Sequence, residues 1–155
     1  GLLNAIPPII SVVAMILWSR HSDKTNERTW HVALACLTAA VGLAIAASTG
    51  SMFGLIAALT IVNVGISCSK PPLWSMPTMF LSGAAAATGI ATINSIGNLG
   101  GFAGPAMIGW VKDQTGSFAG GLYFVAGLLI LSTVLTLVLS FTQKNKANSA
   151  ELSNS

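Results

Sequence analysis

Charged side chains are scarce in this sequence. Of its 155 residues, 7 are Lys or Arg and 4 are Asp or Glu, so 7% carry a formal charge, whereas a soluble domain carries about 25%. Water cannot solvate a surface with so few charges, which excludes a soluble globular domain. The hydrophobic fraction of 53% also excludes a disordered chain. An integral membrane protein is the class that remains.

Cysteine and histidine are also rare, and each shortage excludes a kind of site. Cys36 and Cys68 lie inside apolar runs, where a free thiol behaves as a small hydrophobe and predicts no disulfide. The 2 histidines form no cluster with cysteine, so no metal site is expected. His21 and Asp23 are close enough to suggest an acid–base pair, but no nucleophile accompanies them. We therefore expect neither an enzyme nor a cofactor.

The polar gaps between the apolar runs contain almost all of the charges. The net charge of +3 does not indicate nucleic-acid binding, because the basic residues form no continuous stripe. A transmembrane helix needs about 20 mostly apolar residues. By this criterion the sequence predicts an all-α membrane protein with five transmembrane helices, at about residues 1–19, 30–49, 53–80, 87–111 and 120–141.

The number of spans depends on residues 52–111, where Lys70 is the only charged residue. Two long tilted helices or three short ones would both cover this stretch. Basic residues in the gap at 20–29 and in the tail at 142–155 mark both as cytoplasmic. Two segments on one side require an even number of spans between them, which favours the two-helix interpretation.

The two ends of the chain differ in character. Gly1 opens directly into an apolar run, without the basic segment or cleavage site of a signal peptide. We therefore expect the sequence to be a piece of a longer protein that lacks its N-terminal part. Residues 142–155 are polar and predict a short disordered cytoplasmic tail.

The third predicted span contains a lysine and three prolines. Lys70 lies near the middle of this span, where an ionisable residue is costly and suggests a functional role; the alternative is a lysine that extends to a helix end. Prolines leave helix carbonyls without donors, and such irregular backbone lines cavities inside membranes. Trp74 shares a helix face with Lys70, and is either an interfacial anchor or a cavity wall.

The fourth predicted span combines amides with small residues. Asn94 and Asn98 are four residues apart and share one helix face, so they need partners on another helix or on a ligand. Small residues at four-residue spacing allow helices to approach closely, and proline adds a bend. The residues expected to serve this packing are Gly97, Gly100, Gly101, Gly104 and Pro105.

Several segments together resemble the C-terminal part of a major facilitator superfamily transporter. The branch that the chain resembles is the anion:cation symporters, which include tartrate, phthalate, 4-hydroxyphenylacetate and sugar-acid permeases. The segments that carry this resemblance are 21–24 (HSDK), 72–78 (PLWSMPT), 80–83 (FLSG), 90–102 (IATINSIGNLGGF), and Gly104-Pro105 with Gly109.

The resemblance implies a fold and a set of roles. The spans would be helices 8 to 12 of twelve, so residues 1–141 would form a partial C-terminal six-helix bundle without its first helix and without the N-terminal bundle. Arg20 and Asp23 match basic and acidic positions of the family's cytoplasmic gating motif, with Lys24 and Arg28 in place of its later arginines. Trp74 and Asn94 match positions that face substrate.

These observations predict half of a secondary transporter for a small organic anion: a sugar acid, a dicarboxylate or an aromatic acid. The expected substrate contacts are Trp74, Asn94 and Asn98, with Ser75 and Lys70 as weaker candidates. The expected partners are the organic anion, a coupling cation (the proton), the lipid bilayer and the missing N-terminal half. A bacterial inner membrane is expected from the family. The alternative is a structural membrane subunit whose glycines serve packing only.

Overall fold

The computed structural model describes residues 6–153 of the chain, with side chains described for 7–79 and 81–142. Within these residues the structure is five helices and no strand, which confirms the all-α prediction. The helices are α1 (Ile6–Thr25), α2 (Arg28–Ser48), α3 (Met52–Phe80), α4 (Gly83–Thr115) and α5 (Ala119–Ser153). The first residues of the first predicted span, 1–5, lie outside the described part.

The first predicted polar gap is largely helical, and this corrects the sequence prediction. Helix α1 continues to Thr25, so the connection to α2 is reduced to Asn26 and Glu27. Asn26 has a φ of 52°, in the left-handed region that asparagine tolerates better than most residues. The polar residues from Arg20 to Thr25 form the last turns of α1, although their composition resembles that of a loop.

The predicted tail is also helical as far as the structure describes it. Helix α5 continues to Ser153, well beyond the predicted end of the span at residue 141. The segment 143–153 contains neither glycine nor proline and includes alanine, glutamine and lysine, which are good helix formers. An established helix propagates easily into such a segment, because each added residue gains a hydrogen bond without a new nucleation cost.

Three of the described helices are long and apolar enough to cross a membrane by themselves: 28–48, 52–79 and 119–142. Helices α1 and α4 fall short by this measure. The last turns of α1 carry charged residues, and α4 contains several glycines and two asparagines. Reduced hydropathy is typical of membrane helices that face protein or a polar cavity rather than lipid. The chain is a multi-pass integral membrane protein.

Helix α2 is the centre of the packing and lies against both α3 and α5, while α3 also packs against α1. A core forms where Ala40 and Leu43 of α2 meet Val62 of α3 and Ala126 of α5. The buried face of α2 consists largely of small residues, which lets the neighbouring helices approach its backbone. Its buried small residues include Ala33, Ala35, Ala39, Ala40, Gly42 and Ala46.

Helix α4 lies at the periphery of this part of the protein. It packs against α5 and, to a smaller extent, against α3. None of its residues is buried among the described parts of the chain. It ends at Gly116, whose φ is 71° and whose N–H donates to the carbonyl of Lys112 at 2.7 Å, as is common where glycine ends a helix.

The short turns alternate between two ends of the packed helices. The turns at 48–52 and 115–119 lie at one end, where together they line a cavity of about 510 Å³. The turns at 25–28 and 80–83 and the end of α5 lie at the other. We call this second end the basic end, because Arg20, Lys24 and Arg28 lie there.

Candidate functional site

The proline-rich segment of α3 remains helical throughout, from Lys70 to the end of the helix. Proline has no backbone N–H, so the carbonyls four residues before Pro71, Pro72 and Pro77 have no donor from the helix. Pro72 is fully buried, which fixes this segment against its neighbours. The segment therefore carries polar backbone groups within an apolar helix, as the sequence predicted.

The three predicted site residues on α3 differ in exposure and in bonding. Lys70 is exposed and forms no ion pair with a described side chain. Trp74 is half-buried. The hydroxyl of Ser75 donates to the carbonyl of Pro72 at 2.9 Å, so its hydrogen atom is already used within the helix. Lys70 and Trp74 are thus better placed than Ser75 to donate a hydrogen bond to a ligand.

Both amides predicted to bind substrate lie exposed on α4. Among the described side chains, neither Asn94 nor Asn98 makes a hydrogen bond. Asn63 of α3 is also exposed, but its amide donates to the carbonyl of Leu59 at 2.9 Å. Because an amide without a partner is costly in a membrane, Asn94 and Asn98 differ from Asn63 in needing a partner beyond this part of the chain.

The glycines predicted to pack helices together face open space instead. A Cβ atom added at Gly97, Gly100, Gly101 or Gly104 would meet nothing within 4 Å. Pro105 lies in the same exposed helix, which continues through it to Thr115. No described helix therefore covers this row, and its role in packing stays a prediction about contacts outside the described residues.

The close helix contacts involve two glycines that the sequence analysis overlooked. A Cβ atom on Gly42 would lie 2.9 Å from the backbone nitrogen of Val62, and one on Gly65 would lie 2.7 Å from the carbonyl oxygen of Ala35. These glycines bring α2 and α3 into backbone contact. The signal was present in the sequence, because Ala35 and Ala39 continue with Gly42 as a row of small residues along one face of α2.

The predicted gating residues gather at the corner between α1 and α2. The Arg28 guanidinium pairs with the Asp23 carboxylate, and it also lies 3.4 Å from the hydroxyl of Ser22. Arg20 and Lys24 are exposed on α1. Asp23 is paired with Arg28 rather than with His21, so the suggested acid–base pair of His21 and Asp23 does not form.

The same corner contains buried polar residues that the sequence analysis did not single out. Ser22 is 0% exposed, and its hydroxyl donates to the carbonyl of Glu27 at 3.2 Å. His31 is 6% exposed, and the distance between its Nε2 and the Nδ1 of His21 is 2.8 Å. Because His31 follows the first residues of an apolar run, its sequence position gave no indication of this network.

A comparison with protein families identifies the family of the chain. The model of the Major Facilitator Superfamily matches residues 1–105. The chain belongs to the Major Facilitator Superfamily. The resemblance predicted from the sequence is thereby confirmed at the level of the family, and so is the prediction that the chain is not an enzyme.

The curated relatives of this superfamily member are named as transporters. "Putative tartrate transporter" of Agrobacterium vitis is 73% identical over 142 residues, covering 92% of this chain and 33% of the relative. "Quinolone resistance transporter" of Acinetobacter baumannii is 36% identical, covering 89% of this chain and 32% of the relative. "Inner membrane transport protein RhmT" of Escherichia coli is 31% identical, covering 90% and 32%.

The chain thus spans about a third of the length of the curated relatives it matches. No solved structure matches it.

Proposed function

We propose that the whole protein containing this chain is a secondary transporter for a small organic anion, such as a dicarboxylate, a sugar acid or an aromatic acid. It would couple uptake to a cation, the proton, and work by alternating access. Support comes from two relatives, both named "Putative tartrate transporter", at 73% and 74% identity. The alternative is a non-transporting structural subunit, and neither of these two relatives is named as one.

The observation that carries the proposal is the common depth of Lys70 and Asn94. Lys70 lies ten residues before the end of α3 and Asn94 eleven residues after the start of α4. At a rise of 1.5 Å per residue, each lies about 15 Å from the turn that joins the two helices. This is about half the thickness of the hydrocarbon core, which is about 30 Å.

The side chains at the depth of Lys70 and Asn94 have chemistry that suits the binding of an anion. An ammonium group supplies charge, unpaired amides donate hydrogen bonds to carboxylate or hydroxyl oxygens, and Trp74 supplies a flat apolar wall. We place Asn98 one turn further along the same face of α4. Ser75 is the weakest candidate, because its hydroxyl already donates to Pro72.

The site is proposed to be completed by the part of the protein outside this chain. The relatives are about three times as long, and the exposed glycine row of α4 would face that remaining part. The corner with Arg20, Asp23, Lys24 and Arg28 would act as the cytoplasmic gate. With the basic end in the cytoplasm, the C-terminus would be cytoplasmic, in a bacterial inner membrane.

The experiment that tests the function is uptake of labelled organic acids into vesicles containing the full-length protein. The panel would include tartrate, an aromatic acid and a sugar acid, each with and without a protonophore. We expect uptake of at least one acid, abolished by the protonophore. Uptake that persists with the protonophore would contradict proton coupling, and no uptake of any acid would contradict the anion assignment.

The site assignment is tested with matched pairs of variants in the same vesicles. Asn94→Ala is compared with Asn63→Ala, because Asn63 is an exposed amide already bonded within its own helix. Lys70→Gln is compared with Lys112→Gln, whose ammonium lies over the ring of Phe118 at 4.3 Å. We expect the first member of each pair to raise KM at least tenfold, and the second to change it little.

If both members of each pair behave alike, the site assignment is wrong even where uptake itself is observed. If no variant affects uptake but Gly97→Leu prevents folding, the structural-subunit alternative gains support for this part of the chain. Uptake by the parent protein thus tests its function, and the paired variants test where its binding site lies.

A further inference from the structure

His31 occupies an unusual position in the first turns of α2, where it contacts both the end of α1 and the connection between the helices. Its Nδ1 bonds to the carbonyl oxygen of Glu27. Its Nε2 lies 2.8 Å from Nδ1 of His21 on α1. The indole N–H of Trp18 donates to the backbone carbonyl of His31 at 3.2 Å, with the two ring centroids 4.9 Å apart.

The hydrogen bonds determine which ring nitrogens carry hydrogen. A carbonyl oxygen only accepts, so the Nδ1 of His31 must be the donor to Glu27. In a neutral ring the Nε2 of His31 is then the acceptor, and the Nδ1–H of His21 donates to it. The pair therefore needs one neutral ring: a neutral His31 accepts from His21 in either protonation state, and a protonated His31 donates instead to the Nδ1 of a neutral His21.

We propose that the His21–His31 pair is a proton-operated latch that holds the end of α1 against the start of α2. When protons taken up from water leave both rings charged, the N–H at Nε2 of His31 faces the N–H at Nδ1 of His21, and the hydrogen bond ends. The latch is closed while at least one of the two rings is neutral and opens when both are protonated. Histidine is the side chain whose charge ordinarily changes between pH 5 and 8.

The proton has a route to this pair, because His21 is exposed although His31 is buried. Opening the latch would release the turn at Asn26 and Glu27. The ion pair of Asp23 with Arg28 spans the same turn, so its geometry would change together with the latch. The proposal goes beyond transport, since it concerns the conformation of the corner and requires no substrate.

Several charged and titratable groups surround the pair. Carboxylates in the corner favour the protonated form of an imidazole, and guanidinium and ammonium groups oppose it. The carboxylates and bases of α1, the turn and the start of α2 are Asp23, Glu27, Arg20, Lys24 and Arg28. Further along the packed helices, the nearest titratable groups in the sequence are Cys36 on α2 and Cys68 and Lys70 on α3, whereas Tyr123 on α5 lies at the opposite end of α2, bonded to Ser48. The side chains of Lys144, Lys146 and Glu151 on α5 lie outside those described.

The test follows the mobility of the corner in the full-length protein, reconstituted without substrate. A nitroxide is attached at Lys24→Cys, on a background in which all native cysteines are replaced by alanine. Electron paramagnetic resonance spectra are recorded from pH 8.5 to pH 5. We expect one reversible transition, from an immobilised to a mobile label, as the pH falls between these two values.

Two variants distinguish the latch from other groups that titrate in this range. His31→Gln has no titratable ring, and His21→Ala has no donor for His31, so both are expected to lose the transition. A label at Ser117→Cys, in the turn at the opposite end, serves as the control and is expected to show no transition. Size-exclusion profiles identify any variant that fails to fold.

Absence of a transition in the parent protein would overturn the proposal. So would a transition that survives in either His31→Gln or His21→Ala, because the hydrogen bond between the two rings would then not be its cause. Since no substrate is present, failure of the latch would leave the uptake experiment unaffected. Failure to detect uptake would likewise leave the spectroscopic result intact.

Discussion

Gly65 lies directly against Ala39, and a Cβ atom built on the glycine would be 2.5 Å from the backbone nitrogen of that alanine and 2.8 Å from its Cβ. Helices α2 and α3 therefore touch through their backbones at this level. No flexible side chain that could move aside lies between the two backbones at this contact. The contact explains why the largest helix interface in the described part of the chain is built from small residues.

We expect Gly65→Ala to destabilise the protein, because the helices must separate to admit the methyl group. Overpacking of this kind costs roughly 1–3 kcal/mol. The measurement is the thermal unfolding midpoint of the purified full-length protein in detergent. Gly97→Ala is the matched control, since a Cβ at Gly97 meets nothing within 4 Å; equal midpoints for the two variants would contradict the packing seen at Gly65.

The end of α2 is tied to α5 by a hydrogen bond between Ser48 and Tyr123, whose oxygen atoms are 2.8 Å apart. Tyr123→Phe removes this bond while keeping the ring. We expect a loss of about 0.5–1.5 kcal/mol, the usual net contribution of one hydrogen bond. Ser48→Ala should cost a similar amount, and the double variant should cost no more than either alone. Additive losses in the unfolding midpoint would show that the two hydroxyls do not interact.

The ion pair of Asp23 with Arg28 is partly exposed, with side chains 65% and 20% exposed. Exposed pairs contribute about 0–1 kcal/mol, so Asp23→Asn should leave the unfolding midpoint nearly unchanged. If the corner is a gate, the same variant should nevertheless lower the uptake rate several-fold. The exchanged pair Asp23→Arg with Arg28→Asp should recover part of that rate. A rate unchanged in Asp23→Asn would remove the ion pair from the gating mechanism.

The exposed glycine row of α4 leads to a prediction about the rest of the protein. Gly101→Leu should impair uptake strongly, because leucine would occupy space that we assign to a helix outside this chain. Gly127→Leu on α5 is the control, since a Cβ at Gly127 also meets nothing within 4 Å but faces no proposed partner. Both variants would be compared by uptake at matched amounts of folded protein. Equal uptake by the two would mean that no helix covers Gly101.

The number and order of the helices were predictable from the sequence. Each apolar run has about the length that a membrane requires, and the distribution of basic residues decided between two and three helices for residues 52–111. The helix ends were less predictable. Charged residues continue α1 to Thr25 and α5 to Ser153, because a polar sequence without glycine or proline does not end a helix.

The roles of the small residues were not predictable in the same way. Glycine spacing indicated close packing at Gly97 and Gly101, but the described close contacts are at Gly42 and Gly65. Spacing shows that a helix face is flat, and it does not show whether another helix lies against it. Likewise, nothing in the sequence linked His21 with His31, because their contact depends on the angle of the α1–α2 turn.

Composition and hydropathy by themselves determined that this chain is a helical membrane protein, because backbone hydrogen bonds in lipid can be satisfied within each helix and need no knowledge of its neighbours. The quoted motifs added the resemblance to the superfamily. Tertiary structure alone decided which faces meet, which amides remain without partners, and which histidine is buried. Those properties depend on contacts between segments far apart in the chain, and local sequence patterns carry no record of such contacts.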